Sequence, residues 1–323
     1  MESIANAIGN TPMIKIDYRY AGEERSIFAK LESYNLTGSV KDRMVAYVLE
    51  RARERGELLP GQPIVEVTSG NTGIAIAAIG GSLGHPVHIF MPDWASRERW
   101  ELMNMYGAKV HPVSRSEGGF IAALRRALLF AQKEDAYRTD QFNNYDNVLA
   151  HYYGLGPEIL RELPDAGAFI SGVGTGGTLM GVSRRLGEDH PIVTAAVEPD
   201  AAPLLSGGEV RGPHGIEGIG DDFIPSIVDR SAIDEIYQIN DRDAMNMSRM
   251  LARSLGLGVG ISAGANLLGA IQLEDKHPGV KAVTVFADDN KKYLSTALRG
   301  EIEQHSGFVS NRVELLRYDK ISN

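Results

Sequence analysis

The feature that most constrains the fold is a regular alternation of short apolar runs with longer segments of helical periodicity. Ile27–Leu31, Pro63–Val67, Val87–Met91, Lys109–Val113, Gly167–Ser171, Val193–Glu198 and Val280–Phe286 have the length and composition of strands. Ser39–Arg55, Thr72–Leu83, Ser96–Tyr106, Gly119–Gln132, Thr178–Leu186, Asp241–Leu255 and Ala265–Leu273 read as helices. In the first of these, Val40, Met44, Val48 and Leu49 form a helical stripe. Strands that alternate with helices predict an α/β fold of parallel sheets with helices on both faces. The pattern restarts after Gln141, and 323 residues suit about two domains at roughly 150 residues each. Pro203–Asp222 is rich in Gly and Pro and reads as a long functional loop.

Composition removes several function classes. A net charge of −9 without a Lys/Arg-rich run argues against nucleic acid and anionic membranes as partners. The chain has no cysteine, so disulfides, thiolate metal sites and a cysteine nucleophile are excluded. The N-terminus lacks the basic and apolar stretches of a signal peptide. The longest apolar stretches, such as Gly73–Gly84, fall short of the ~20 residues of a membrane span. A cytoplasmic location is the default expectation. The histidines show no metal-ligand spacing beyond His85-x-x-His88, which is read as structural, and no metal is expected.

Two segments carry chemistry. Gly172-Val-Gly-Thr-Gly-Gly177 fits G-x-G-x-x-G between a strand and a helix, and Glu198 stands near the offset of a ribose-binding acid. Glycines allow close backbone approach, and free N–H groups at a helix start attract any phosphate. The loop alone leaves a dinucleotide and a smaller phosphate cofactor open. The second segment, Asn35-Leu-Thr-Gly-Ser-Val-Lys-Asp-Arg43, puts Lys41 in the first turn of a helix. The positive end of the helix dipole there favours the neutral amine, the form that Schiff-base chemistry needs. Glu66-Val-Thr-Ser-Gly-Asn-Thr-Gly73 adds a loop of hydroxyls and free N–H groups suited to a carboxylate.

Taken together, GSVKDR, TSGNTG, GVGTGGT, EGIG-x-DFIP, GISAGA and YLST resemble the fold-type II pyridoxal-phosphate (PLP) enzymes of the cysteine synthase and cystathionine β-synthase family. The resemblance runs from Ile8 to Thr296. It implies a tryptophan synthase β-like fold of two domains, each with a mainly parallel twisted sheet flanked by helices. Residues 40–147 would form the smaller, mobile domain, and 1–39 with 148–323 the larger one. The cofactor would be PLP, held as a Schiff base on Lys41, which would also move the α-proton. Asn71 would hydrogen-bond the ring 3′-oxygen, and Gly174, Thr175, Gly176, Gly177 and Thr178 would cradle the phosphate. Thr68, Ser69, Gly70 and Thr72 with Gln141 would hold the substrate carboxylate, and Gly220 would stand beside the substrate. Ser262 would face the pyridine nitrogen, where a hydroxyl leaves the ring a weaker electron sink than an aspartate would. That favours loss and replacement of a β-substituent over transamination.

The implied reaction is β-replacement on a serine-type amino acid, foremost cysteine synthesis from O-acetylserine and sulfide through an aminoacrylate. The alternatives are a serine- or cysteine-using β-synthase or lyase, with thioether formation or sulfide release, and a catalytically silent PLP-binding regulator. The family is typically homodimeric, and a serine acetyltransferase is an implied partner besides the amino acid and the sulfide or thiol. Three stretches depart from the cysteine synthase pattern. Asp221 and Asp222 stand in Gly218-Ile-Gly-Asp-Asp-Phe, Phe286–Tyr293 carries an unusual charge pattern, and His151-Tyr-Tyr-Gly-Leu-Gly-Pro157 lacks the Thr-Thr pair. An acid at Asp221 is expected to act as a base or hydrogen-bond acceptor near the substrate β-carbon.

Overall fold

A computed structural model describes residues 4, 6–188 and 190–321. Two sheets organise the chain. The smaller has the order β5-β4-β3-β6 and is parallel throughout, built from β3 (Ile64–Val67), β4 (Val87–Pro92), β5 (Lys109–Val113) and β6 (Tyr137–Arg138). Helices α1 (Lys41–Glu54), α2 (Asn71–Ser82), α3 (Arg97–Met105) and α4 (Gly119–Glu134) accompany it. Helix α2 is buried nearly all round, from Thr72 to Gly80, because its small and branched residues let it lie between neighbours.

The larger sheet has seven strands in the order β11-β1-β2-β10-β7-β8-β9. Its parallel part joins β2 (Glu23–Leu31), β10 (Ala282–Phe286), β7 (Ala168–Gly172), β8 (Val193–Pro199) and β9 (Glu235–Ile239). Helices α5 (Asp146–Tyr153), α6 (Leu155–Glu162), α7 (Gly177–Gly187), α8 (Asp241–Leu255) and α9 (Ile261–Lys276) surround it. Strands β1 (Met13–Tyr20) and β11 (Val313–Lys320) add an antiparallel edge. Ala21 (φ 52°) and Gly22 (φ 87°) make the two-residue turn between β1 and β2, the geometry that matches strand twist.

The expected α/β architecture is therefore present, with differences in extent. Strands β1, β6, β9 and β11 and helices α5 and α6 lie outside the elements read from the sequence. Strand β2 begins at Glu23 rather than Ile27, and α9 spans Ile261–Lys276 rather than Ala265–Leu273. Pro203–Asp222 carries no helix or strand, as expected of a loop.

A buried charge network ties α1 to the larger sheet. The Arg43 guanidinium donates from Nε to Glu32 Oε2 at 2.6 Å, and from Nη1 to Glu158 Oε1 at 2.7 Å. Lys30, fully buried, pairs with Glu158 and Glu162 at 3.1 and 2.9 Å. Burial alone would raise the Glu158 carboxyl, but the Arg43 hydrogen bond and charge outweigh it and hold the group at about 2. A surface K-D-R helix would show none of this. The R43M variant leaves Glu32 as a buried charge without a charged partner and Glu158 with Lys30 alone, and should lose roughly 3–5 kcal/mol of stability, read as a lowered midpoint in urea; an unchanged midpoint contradicts this role.

Candidate active site

A cleft of about 900 Å³ opens between the two sheets. It is lined by the residues following β3, by the start of α1, by the loop after β7, and by the Pro203–Asp222 loop. Ligands of open parallel sheets collect at such carboxyl ends of strands. The structure brings into this cleft Lys41, Thr68, Ser69, Gly70, Asn71, Thr72, Gln141, Gly174, Thr175, Gly176, Thr178, Asp221 and Ser262. Gly177 and Gly220 fall outside its lining. Gly177 opens α7 and donates from its N–H to Thr175 Oγ1 at 3.4 Å. Gly220 (φ 72°) donates to the Val173 carbonyl at 3.0 Å and lines a smaller adjoining cavity of about 260 Å³ that Asp221 shares.

Lys41 is the first residue of α1, and its pKa is lowered chiefly by burial. The carboxylates of Asp288 and Asp221 partly oppose that shift by stabilising the ammonium. Exclusion from water thus outweighs the neighbouring carboxylates. Asp221 shows the converse effect. Burial and the neighbouring Asp222 push its carboxyl up to about 6, against the attraction of Lys41.

The Thr68–Thr72 loop is braced from within. Thr68 Oγ1 accepts the Gly70 N–H at 3.0 Å, and Thr72 Oγ1 donates to Gln141 Oε1 at 2.7 Å. Gln141 is itself fixed by donation from Nε2 to the Val67 carbonyl at 3.0 Å. Arg99 of α3 lies against Gly70, places its guanidinium 4.4 Å from the Tyr293 ring centroid, and pairs with Glu217 of the opposite loop.

The departure at Phe286–Tyr293, to which the sequence assigned no role, reaches the site. Asp288 Oδ2 accepts from Asn71 Nδ2 at 2.7 Å and from the Tyr293 hydroxyl at 2.9 Å. Lys292 Nζ donates to Asn71 Oδ1 and to the Gly38 carbonyl, both at 3.0 Å. Asp288 Oδ1 is buried without a partner. Arg99, Glu217, Asp288 and Lys292 therefore lie at or beside the cleft, although the motifs assigned them no role. Their signal was weak, since single charges in loops usually face solvent.

Glu198 does not serve a ribose. It accepts the backbone N–H of Leu205 at 2.8 Å and of Ser206 at 3.2 Å, so it anchors the start of the long loop. His85 and His88 do not converge on a metal: His85 Nδ1 meets the Gln62 carbonyl, and His88 Nδ1 meets His111 Nε2.

Comparison with known proteins agrees with this geometry. Residues 4–288 match the family described as pyridoxal-phosphate dependent enzyme. The chain is 38% identical over 302 residues to a cysteine synthase of Staphylococcus aureus, covering 92% of this chain and 97% of that protein. It is 37% identical to cysteine synthase B of Salmonella typhimurium, covering 93% and 97%. The chain belongs to the PLP-dependent enzymes of the cysteine synthase type. The crystal structure of a hydrogen sulfide-producing enzyme from Fusobacterium nucleatum is also similar, with a TM-score of 0.94 and 46% identity over 99% of this chain and 98% of that one.

The residues present fit PLP. An added Cβ at Gly174 would overlap the Gly218 carbonyl, at Gly176 the Val228 side chain, and at Gly177 the Asn147 amide. Gly176 (φ 86°) also needs the left-handed region. These glycines leave the backbone bare at the start of α7, where an anion is favoured. Lys41 is the one lysine among the cleft-lining residues. Borohydride reduction of the PLP-loaded protein followed by peptide mapping should attach the cofactor to Lys41, and K41A should retain none; attachment at Lys292 would contradict the assignment. Among the described residues, no helix is long and apolar enough to cross a membrane.

Proposed function

We propose that the protein catalyses β-replacement on serine-type amino acids, with cysteine as a donor that leaves as sulfide. Bound PLP supplies the electron sink for the substrate α-carbon. The chain's own residues do the rest. The Lys41 amine takes the α-proton and returns it to the same carbon. The Thr68–Thr72 loop and Gln141 hold the substrate carboxylate. Asp221 accepts the proton of the incoming nucleophile, water or a thiol, at its carboxylate.

The observation that carries this reading is Asp221, a part-buried carboxyl held at about 6 in the same cleft as Lys41. A base poised near neutrality suits a nucleophile that arrives protonated. The similar structure that produces hydrogen sulfide supports the same direction. Residues 40–147 carry the carboxylate loop, while 1–39 with 148–323 carry the glycine cradle. The Arg99–Glu217 pair joins these parts across the cleft. Closure of the smaller part onto bound substrate expels water and protects the reacting centre.

A second reading is cysteine synthesis from O-acetylserine and sulfide, supported by the two cysteine synthases to which the chain is similar. Hydrosulfide arrives already deprotonated, so this reaction has little need of Asp221. A product-resolved assay across cysteine, serine and O-acetylserine separates the two. Wild-type protein should release sulfide from cysteine, with the rate rising as pH passes about 6 and Asp221 loses its proton. D221N should lower that rate by roughly 100-fold or more and spare O-acetylserine with sulfide. Equal rates and product ratios for D221N and wild type with every donor contradict the proposal.

A further inference from the structure

Behind the phosphate cradle, helix α5 presents Asn147 and His151 on one face, four residues apart. Both are buried, and neither lines the cleft. Each reaches one threonine of the glycine loop. Asn147 Nδ2 donates to Thr175 Oγ1 at 2.9 Å, and His151 Nε2 lies 3.2 Å from Thr178 Oγ1.

The direction of the first bond is fixed. Asn147 Nδ2 also reaches the Gln141 carbonyl at 2.9 Å, and a carbonyl only accepts. That atom is therefore the amide nitrogen, and Thr175 Oγ1 must accept from it. The Gly177 N–H donates to the same oxygen at 3.4 Å. Both acceptor directions of Thr175 are occupied, so its hydroxyl hydrogen points elsewhere, and Thr175 lines the cleft.

The second bond obeys the same logic. Burial, with the Arg43 and Lys41 charges adding to it, keeps the His151 ring neutral, so it carries a single N–H. His151 Nδ1 is buried without a hydrogen-bond partner, so no bond at that nitrogen holds the tautomer. A phosphate dianion offers only acceptors. If the His151 N–H sits on Nε2, Thr178 accepts it and keeps its hydrogen for the anion. If it sits on Nδ1, Thr178 spends its hydrogen on the ring and turns lone pairs toward the phosphate.

We propose that Asn147 and His151 are positioning residues that set the polarity of the two threonine hydroxyls, so that both donate to the cofactor phosphate. His151 is then the Nε2–H tautomer. This rests on the placement of the phosphate at Gly174–Thr178.

Two measurements test it. In the PLP-loaded wild type labelled with ¹⁵N-histidine, His151 should show a protonated Nε2 and an unprotonated Nδ1; the reverse pattern overturns the proposal. PLP dissociation constants come from titrating the cofactor-free protein by absorbance. H151L and N147L should each weaken binding about tenfold, the scale of a lost hydrogen bond to a charged group. H151Q, which restores a donor at the Nε2 position, should recover most of the loss. Weakening by T178V but not by H151L or N147L refutes the polarity role and leaves the cradle standing. Unchanged affinity in T178V as well refutes the cradle itself. Equal loss in H151L and H151Q assigns His151 a packing role and also refutes the proposal.

Discussion

The structure depends on keeping one lysine out of water inside a cleft that two sheets build together. Burial pushes the Lys41 amine toward its neutral form, and Asp288 and Asp221 pull the other way. That balance requires a helix start that does not move. Two residues on, Arg43 supplies it by joining α1 to Glu32 on one side and Glu158 of α6 on the other. Asp42 continues the anchoring by accepting the Thr37 N–H at 2.7 Å. A Lys-Asp-Arg triplet thus gives one side chain that lines the cleft and two that hold its helix in place.

Around that amine the cleft is divided by chemistry. The smaller sheet contributes neutral donors and acceptors, Thr68 to Thr72, braced by Gln141. The larger sheet contributes a bare glycine turn at the start of α7, backed by Asn147 and His151. Charged pairs hold the seam: Arg99 against Glu217, and Lys292 and Asp288 on either side of Asn71. Asp221 is the carboxylate that lines the cleft with its pKa displaced toward neutrality. A seam of this kind lets the halves meet in one register while most of the cleft wall stays uncharged.

Much of this was legible in the sequence. Strand–helix alternation predicts the parallel sheets because buried strands and amphipathic helices have different apolar periods. The glycine turn and the Thr-Ser-Gly-Asn loop are legible because few residues satisfy their backbone demands. Other parts were not. The β1–β2 hairpin turns through Ala21-Gly22 with φ values of 52° and 87°, and Ala at the first position hides the usual turn signal. Strand β6 has two residues, too few for any periodicity. Arg43, Asp288 and Lys292 look like surface charges until the fold buries them, and their roles come from partners between 5 and 254 residues away. Asp221 stood out only as a departure from the pattern of its family, and the structure adds its burial and its electrostatic coupling to Lys41.

The central claim is that Asp221 and Lys41 act on each other in one cleft, and it can be measured without any substrate. In cofactor-free protein carrying ¹³C-labelled aspartate, the Asp221 carboxyl should titrate near pH 6. In K41M it should titrate at still higher pH, because the lysine charge that lowers it is gone. An Asp221 that titrates in the ordinary carboxylate range and ignores the loss of Lys41 would contradict the account.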